Sequence, residues 1–151
     1  MRKKALLILV ALVLCFIWGN SLLPARFSNA ISNRVTAIVG GEITHSAEQE
    51  KNSPTWLTSG HIRKLAHMTE FGALGAVCIL ITVSRGKKVR EHLSTIALLG
   101  LSAAVIDETI QLFTGRTSAV KDIWIDSAGF AIGCVLSWVM AYLLVLRKRR
   151  G

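Results

Sequence analysis

Several well-marked chemical signatures are missing from this sequence. It has no Walker-type phosphate loop, no HExxH pair and no serine-nucleophile motif, so those NTPase, zinc-protease and serine-hydrolase classes lack their carriers. Its three cysteines, Cys15, Cys78 and Cys134, stand singly in separate apolar segments. Without CxxC or Cys/His ligand spacing they read as small buried hydrophobes, and no disulfide framework is indicated. No internal repeat or low-complexity tract is present. The stretch ALLILVALVLCFIWG, from Ala5 to Gly19, has no polar face, which excludes the amphipathic pattern of a soluble helical bundle.

What the chain has instead is apolar length. Hydrophobic residues make up 52% of it and its mean hydropathy is +0.49, a composition of membrane proteins. Spanning a bilayer takes about 20 mostly apolar residues. Four segments approach that, at about 5–23, 65–83, 93–113 and 123–146. The expectation is a single domain over residues 1–151, all-α and polytopic, with four transmembrane helices. Arg2, Lys3 and Lys4 followed by an apolar core resemble a signal peptide. The apolar stretch is longer than a usual signal core, which favours an uncleaved first helix.

The net charge of +9 follows topology and not a nucleic-acid surface. Basic clusters lie at residues 2–4, 85–90 and 147–150. Alternating helices put all three on one side, which the positive-inside rule makes cytoplasmic, so both termini are in. Contact with anionic lipid is a second role open to these charges. The other side carries a long loop over residues 24–64. Within it Phe27, Ile31, Val35 and Ile38 recur at helical spacing, as a surface-lying amphipathic helix or an ordinary loop helix would. His45 and His61 read as solvated loop residues.

Acids inside apolar helices demand a reason, because each costs about 2.5–3.5 kcal/mol at the helix centre. In RKLAHMTEFGALG, residues Arg63, His67, Glu70 and Leu74 form one stripe. Asp107 and Glu108 both meet Gln111 one turn on, and Asp122 and Asp126 lead into Gly129 and Gly133. The two glycines form GxxxG, a close-approach face within one chain or between two. All these polar residues fall near the outer ends of their helices, Asp107 about 9 Å in from Phe113. That depth suits a water-filled vestibule. A salt-bridge network, in which Arg63, Lys64, Arg116 and Lys121 neutralise the acids and hold the helix ends, is the structural alternative.

KLAHMTEFGALG together with DETIQLFTGRTSAVKDIWIDSAGFAIG resembles the VanZ-like family of bacterial membrane proteins. The shared pattern is His-x-x-Glu-aromatic, Asp-Glu-x-x-Gln, Gly-Arg, then Asp ahead of a helix with spaced glycines. In this chain it falls on His67, Glu70, Phe71, Asp107, Glu108, Gln111, Gly115, Arg116, Asp122, Gly129 and Gly133. Phe71 stands where the family often has Tyr, so no phenolic hydroxyl at that position is essential. Asp126 stands where Asn is commoner, which adds a charge. The resemblance implies a bacterial plasma membrane, a cell-envelope role and a link to teicoplanin resistance, without an established reaction.

Three functions are compatible with these residues. In the first, the chain is an enzyme on a lipid-linked wall precursor. His67, Glu70, Asp107, Glu108, Gln111 and Asp122 would form the catalytic group, with Arg63, Lys64, Arg116, Lys121 and Asp126 binding substrate. His67, Glu70, Asp107 and Asp122 also have the ligand types for a divalent metal. In the second, the same outward-facing pocket binds a wall precursor or glycopeptide without turnover. Third is a small transporter, ranked last because the inner halves of the helices lack polar residues.

Overall fold

A computed structural model describes residues 2–23, 30, 33–35, 59–116 and 119–150 of the chain. Among them the secondary structure is helical: α1 (Arg2–Ser21), α2 (Ser59–Ser84), a short 3-10 turn (Val89–His92), α3 (Leu93–Phe113) and α4 (Val120–Arg150). The surface helix expected over Phe27–Ile38, the rest of that loop to residue 58, and His45 lie largely outside the described residues, although residues 33–35 are helical.

Three stretches are long and apolar enough to cross a membrane: His61–Ser84, Val89–Phe113 and Val120–Arg147. The apolar part of α1, Leu7–Ser21, is shorter than that. By helix composition this is a multi-pass membrane protein. The side chains agree, since Leu12, Phe16, Leu98, Leu112, Leu136 and Leu144 all point outward and are exposed. A water-soluble protein would bury them, whereas lipid tails are as apolar as leucine and exert no such pull.

With no hydrophobic drive between helices in lipid, close packing has to come from small residues. The largest interface joins α2 to α4, and it is built of glycine. A Cβ on Gly133 would meet the Gly72 carbonyl, one on Gly129 the Met68 backbone, and one on Gly75 the Phe130 carbonyl. The GxxxG face of α4 therefore packs within the chain, against α2. Cys134 Sγ lies 3.5 Å from the Gly75 carbonyl oxygen in the same seam. Gly100 of α3 accepts the Phe130 ring, and Ile17, Phe71, Leu74, Ile96 and Ala104 complete the apolar centre. Of the cysteines, Cys78 is buried and Cys134 half-buried. Cys15 departs from the expected burial: it faces outward on α1, the side a membrane would solvate.

Two glycines end helices and set the direction in which the chain leaves them. Gly86 has φ +67° after α2 and Gly115 has φ +71° after α3. In both turns the next N–H donates back to a carbonyl five residues earlier, Lys87 to Thr82 and Arg116 to Gln111, each at 3.1 Å. This is the Schellman closure, which needs a left-handed residue at its corner. After α3 it turns Arg116 back beneath the helix end, towards the polar residues of its neighbours.

Candidate functional site

The polar residues gather at one end of the bundle. That end holds the last turn of α1, the first turns of α2 and α4, and the last turns of α3. His67, Asp107, Glu108, Gln111, Arg116 and Asp126 are all buried, with Asp107 at 0% and Asp126 at 1% exposure. Glu70 and Asp122 are half-buried beside them, as are Arg63 and Lys64.

His67 is the hub. Its Nδ1 lies 3.6 Å from Asp107 Oδ2 and 4.0 Å from Glu70 Oε2. Its Nε2 lies 3.4 Å from Arg116 Nη2. Arginine can only donate, so Nε2 accepts and the ring hydrogen sits on Nδ1, facing the carboxylates. Gln111 Nε2 donates to Asp107 Oδ2 at 2.7 Å and fixes that carboxylate one helical turn away. Arg116 also donates to the Asn20 carbonyl at 3.4 Å. Burial, then the nearby Arg63, pulls its pKa down, while Asp107, Glu108 and Glu70 pull it up; guanidinium remains the cation in either case.

Other candidates have chiefly architectural partners. Glu108 Oε2 accepts the Ala119 backbone N–H at 3.3 Å, joining α3 to the chain just ahead of α4. Lys64 Nζ pairs with Asp122 Oδ1 at 3.1 Å, linking the starts of α2 and α4. Asp122 also sits in the first turn of α4, where a carboxylate complements the helix dipole. Lys121 is exposed and joins none of these contacts among the described residues.

Three contributors are absent from the sequence-based set. Asn20 Nδ2 donates to Glu70 Oε1 at 2.8 Å. Ser21 is fully buried, and its carbonyl receives Thr114 Oγ1 at 3.3 Å. The available signal is the dipeptide Asn20-Ser21, which ends an apolar helix at the level of the other polar residues.

The arrangement keeps polar capacity in reserve. His67 Nδ1, Glu70 Oε2, Asp107 Oδ1, Arg116 Nε and Asp126 Oδ2 are buried atoms without a hydrogen-bond partner among the described residues. Leaving such a group unmatched costs about 1–3 kcal/mol. His67, Asp107 and Asp126 each bring one donor atom within 4.8 Å of the others, a group able to hold a metal ion. Asp126 thus takes the place in that group that the sequence suggested for Glu70 and Asp122. The expected water-filled vestibule is not formed by the described residues. The gap between Arg63, Lys64, His67, Glu108, Gln111, Asp122 and Asp126 has a volume of about 10 Å³, at most the room for one water. One pair of its lining side chains, Lys64 and Asp122, bridges across it at 3.1 Å.

The fold and this cluster define a class: a multi-pass helical membrane protein with a buried histidine–carboxylate–arginine group at one end. Within that class, the chain belongs to the VanZ/LLP1 family, which it matches over residues 6–143. No curated protein and no solved structure matches it.

Proposed function

We propose that this is a four-span, N-in/C-in protein of the bacterial plasma membrane whose outward-facing polar cluster acts on a lipid-linked, phosphate-bearing wall precursor, in the setting of teicoplanin-type resistance. One observation carries the reading. A histidine, three carboxylates and an arginine are drawn out of water together, yet keep buried atoms without a hydrogen-bond partner among the described residues. A network serving only to hold helix ends would gain by saturating those atoms.

The chemistry rests on the contacts. Arg63, Lys64 and Arg116 are the cations available to a phosphate oxygen. When an anion draws Arg116 away, the Nε2 lone pair of His67 is released. Asp107, held by Gln111, then steadies the opposite Nδ1–H, the pairing used in general acid–base catalysis. Asp126 replaces Asp122 beside this pair, and Lys121 takes no part. Binding without turnover is the second reading, favoured by the tight closure of the gap. Transport ranks last. Away from this end, the buried polar side chain among the described residues is Thr82, whose hydroxyl is spent on the Cys78 carbonyl at 2.9 Å.

The test is teicoplanin susceptibility of a sensitive Gram-positive host expressing wild type, His67→Ala or Asp107→Asn at matched membrane levels. Loss of protection in both variants is expected. If both protect fully, the cluster is structural and the proposal fails. Retained binding of the precursor by Asp107→Asn, with protection lost, separates turnover from shielding.

A further inference from the structure

A wide groove lies away from the polar cluster. It occupies the opposite end of the bundle, where α2 ends, α3 begins and α4 approaches its C-terminus. Its volume is about 600 Å³, within the range of about 300–1,000 Å³ typical of small-molecule sites. Val83, Leu93, Trp138, Ala141 and Val145 give it an apolar wall. Lys87, Lys88 and Arg90, from the turn between α2 and α3, also line it, as does Tyr142.

We infer that this groove is a binding site for one anionic phospholipid, with the phosphodiester at Lys87, Lys88 and Arg90 and an acyl chain along the Val83–Leu93–Trp138 wall. Three observations support that occupant. First, the groove has the two chemistries of a phospholipid, side by side and in the right order. The basic residues flank the start of α3, and the apolar wall continues into the spanning helices. Second, its depth is correct. Trp124 and Tyr142, both exposed, are about 27 Å apart along α4, close to the roughly 30 Å of the hydrocarbon core. Aromatic residues mark the two interfaces of a spanning protein, so Tyr142 and the neighbouring basic residues lie at headgroup level. Third, the charges are available. Lys88 pairs with Glu91 at 3.6 Å, but both are well exposed, where such a pair contributes little. Lys87 and Arg90 have no acidic partner within 4.0 Å among the described residues.

The sign of the charge selects the lipid. A phosphatidylcholine headgroup brings a quaternary ammonium against the basic residues, whereas phosphatidylglycerol brings net negative charge. At about fivefold in affinity per basic residue near a surface, three residues give a preference of roughly a hundredfold. An orientation signal needs only the charges, at any position in the loop; a lipid site needs charges and groove together.

The experiment uses the purified, delipidated full-length protein in a neutral detergent. Phosphatidylglycerol and phosphatidylcholine are titrated in turn, and retention is read by native mass spectrometry. Wild type is expected to retain phosphatidylglycerol in preference by roughly a hundredfold. The combined variant Lys87→Gln, Lys88→Gln, Arg90→Gln is expected to lose the preference. Ala141→Trp, which obstructs the apolar wall and keeps every charge, is expected to lose retention as well. Lys121→Gln, at the other end of α4, is expected to behave as wild type. Unchanged thermal unfolding shows that each variant is folded. Equal retention of the two lipids overturns the inference. So does a preference that survives Ala141→Trp, since that describes diffuse surface attraction. A change of oligomeric state in Ala141→Trp with lipid retention intact also overturns it, and assigns the groove to a second copy of the chain.

Discussion

Gly133→Ala adds one methyl group to the most closely packed point of the molecule. The new Cβ would lie 2.6 Å from the Gly72 carbonyl carbon and against its oxygen. A flexible side chain could swing aside there, but backbone cannot, so α4 must move away from α2. Overpacking costs about 1–3 kcal/mol, and a rigid backbone neighbour places this site at the upper end. Alanine is the better helix former by about 1 kcal/mol, which offsets part of that cost. The net loss is about 2 kcal/mol, or roughly 4–8 °C in thermal midpoint for a chain of this size. Gly19→Ala supplies the control, because nothing described lies within 4 Å of its added Cβ. That variant keeps the propensity gain without the clash and should unfold slightly above wild type. Thermal unfolding of both variants in detergent micelles, followed by circular dichroism, gives the answer. A Gly133→Ala protein as stable as wild type would refute the glycine seam as the basis of the α2–α4 contact.

Two further outcomes are expected at the polar end. Asn20→Ala removes the donor to Glu70 Oε1 and should cost about 1–3 kcal/mol. Asn20→Asp should cost more, by setting a second carboxylate against the first, and chemical denaturation ranks the two variants. Gly115→Ala forces a left-handed residue at φ +71°, at about 1–2 kcal/mol. Because that turn aims Arg116, its teicoplanin susceptibility should follow that of Arg116→Gln; a Gly115→Ala variant that protects like wild type would break the link.

Some of this is legible in the sequence, for physical reasons. Apolar length sets the helices, and three of them are long enough to cross a membrane. Helical phase puts Asp126, Gly129 and Gly133 on one stripe, and all three are buried. The rotation of one helix against another leaves no such trace. Phase puts Asp122 and Asp126 on one α4 stripe alike, and only the meeting of helices brings Asp126 to His67 and Asp107. Gly72 and Gly75 of α2, which receive α4, carry no spacing signal of their own in the sequence. Asn20 and Ser21 escape notice because a polar pair ending an apolar helix is usually the exit into a loop.

The α2–α4 seam has a mechanical consequence. Backbone held against backbone has no rotamers to change, so these two helices act as a fixed frame that carries His67 and Asp126 on opposite sides. Asp107 and Glu108 arrive on α3, and Asn20 on α1, whose interfaces with that frame are smaller. The gap of about 10 Å³ can therefore widen most readily by displacing α3 and α1, carrying the Asp107–Gln111 pair away from a stationary imidazole. Whatever enters the cluster would then be met by one half that yields and one that does not.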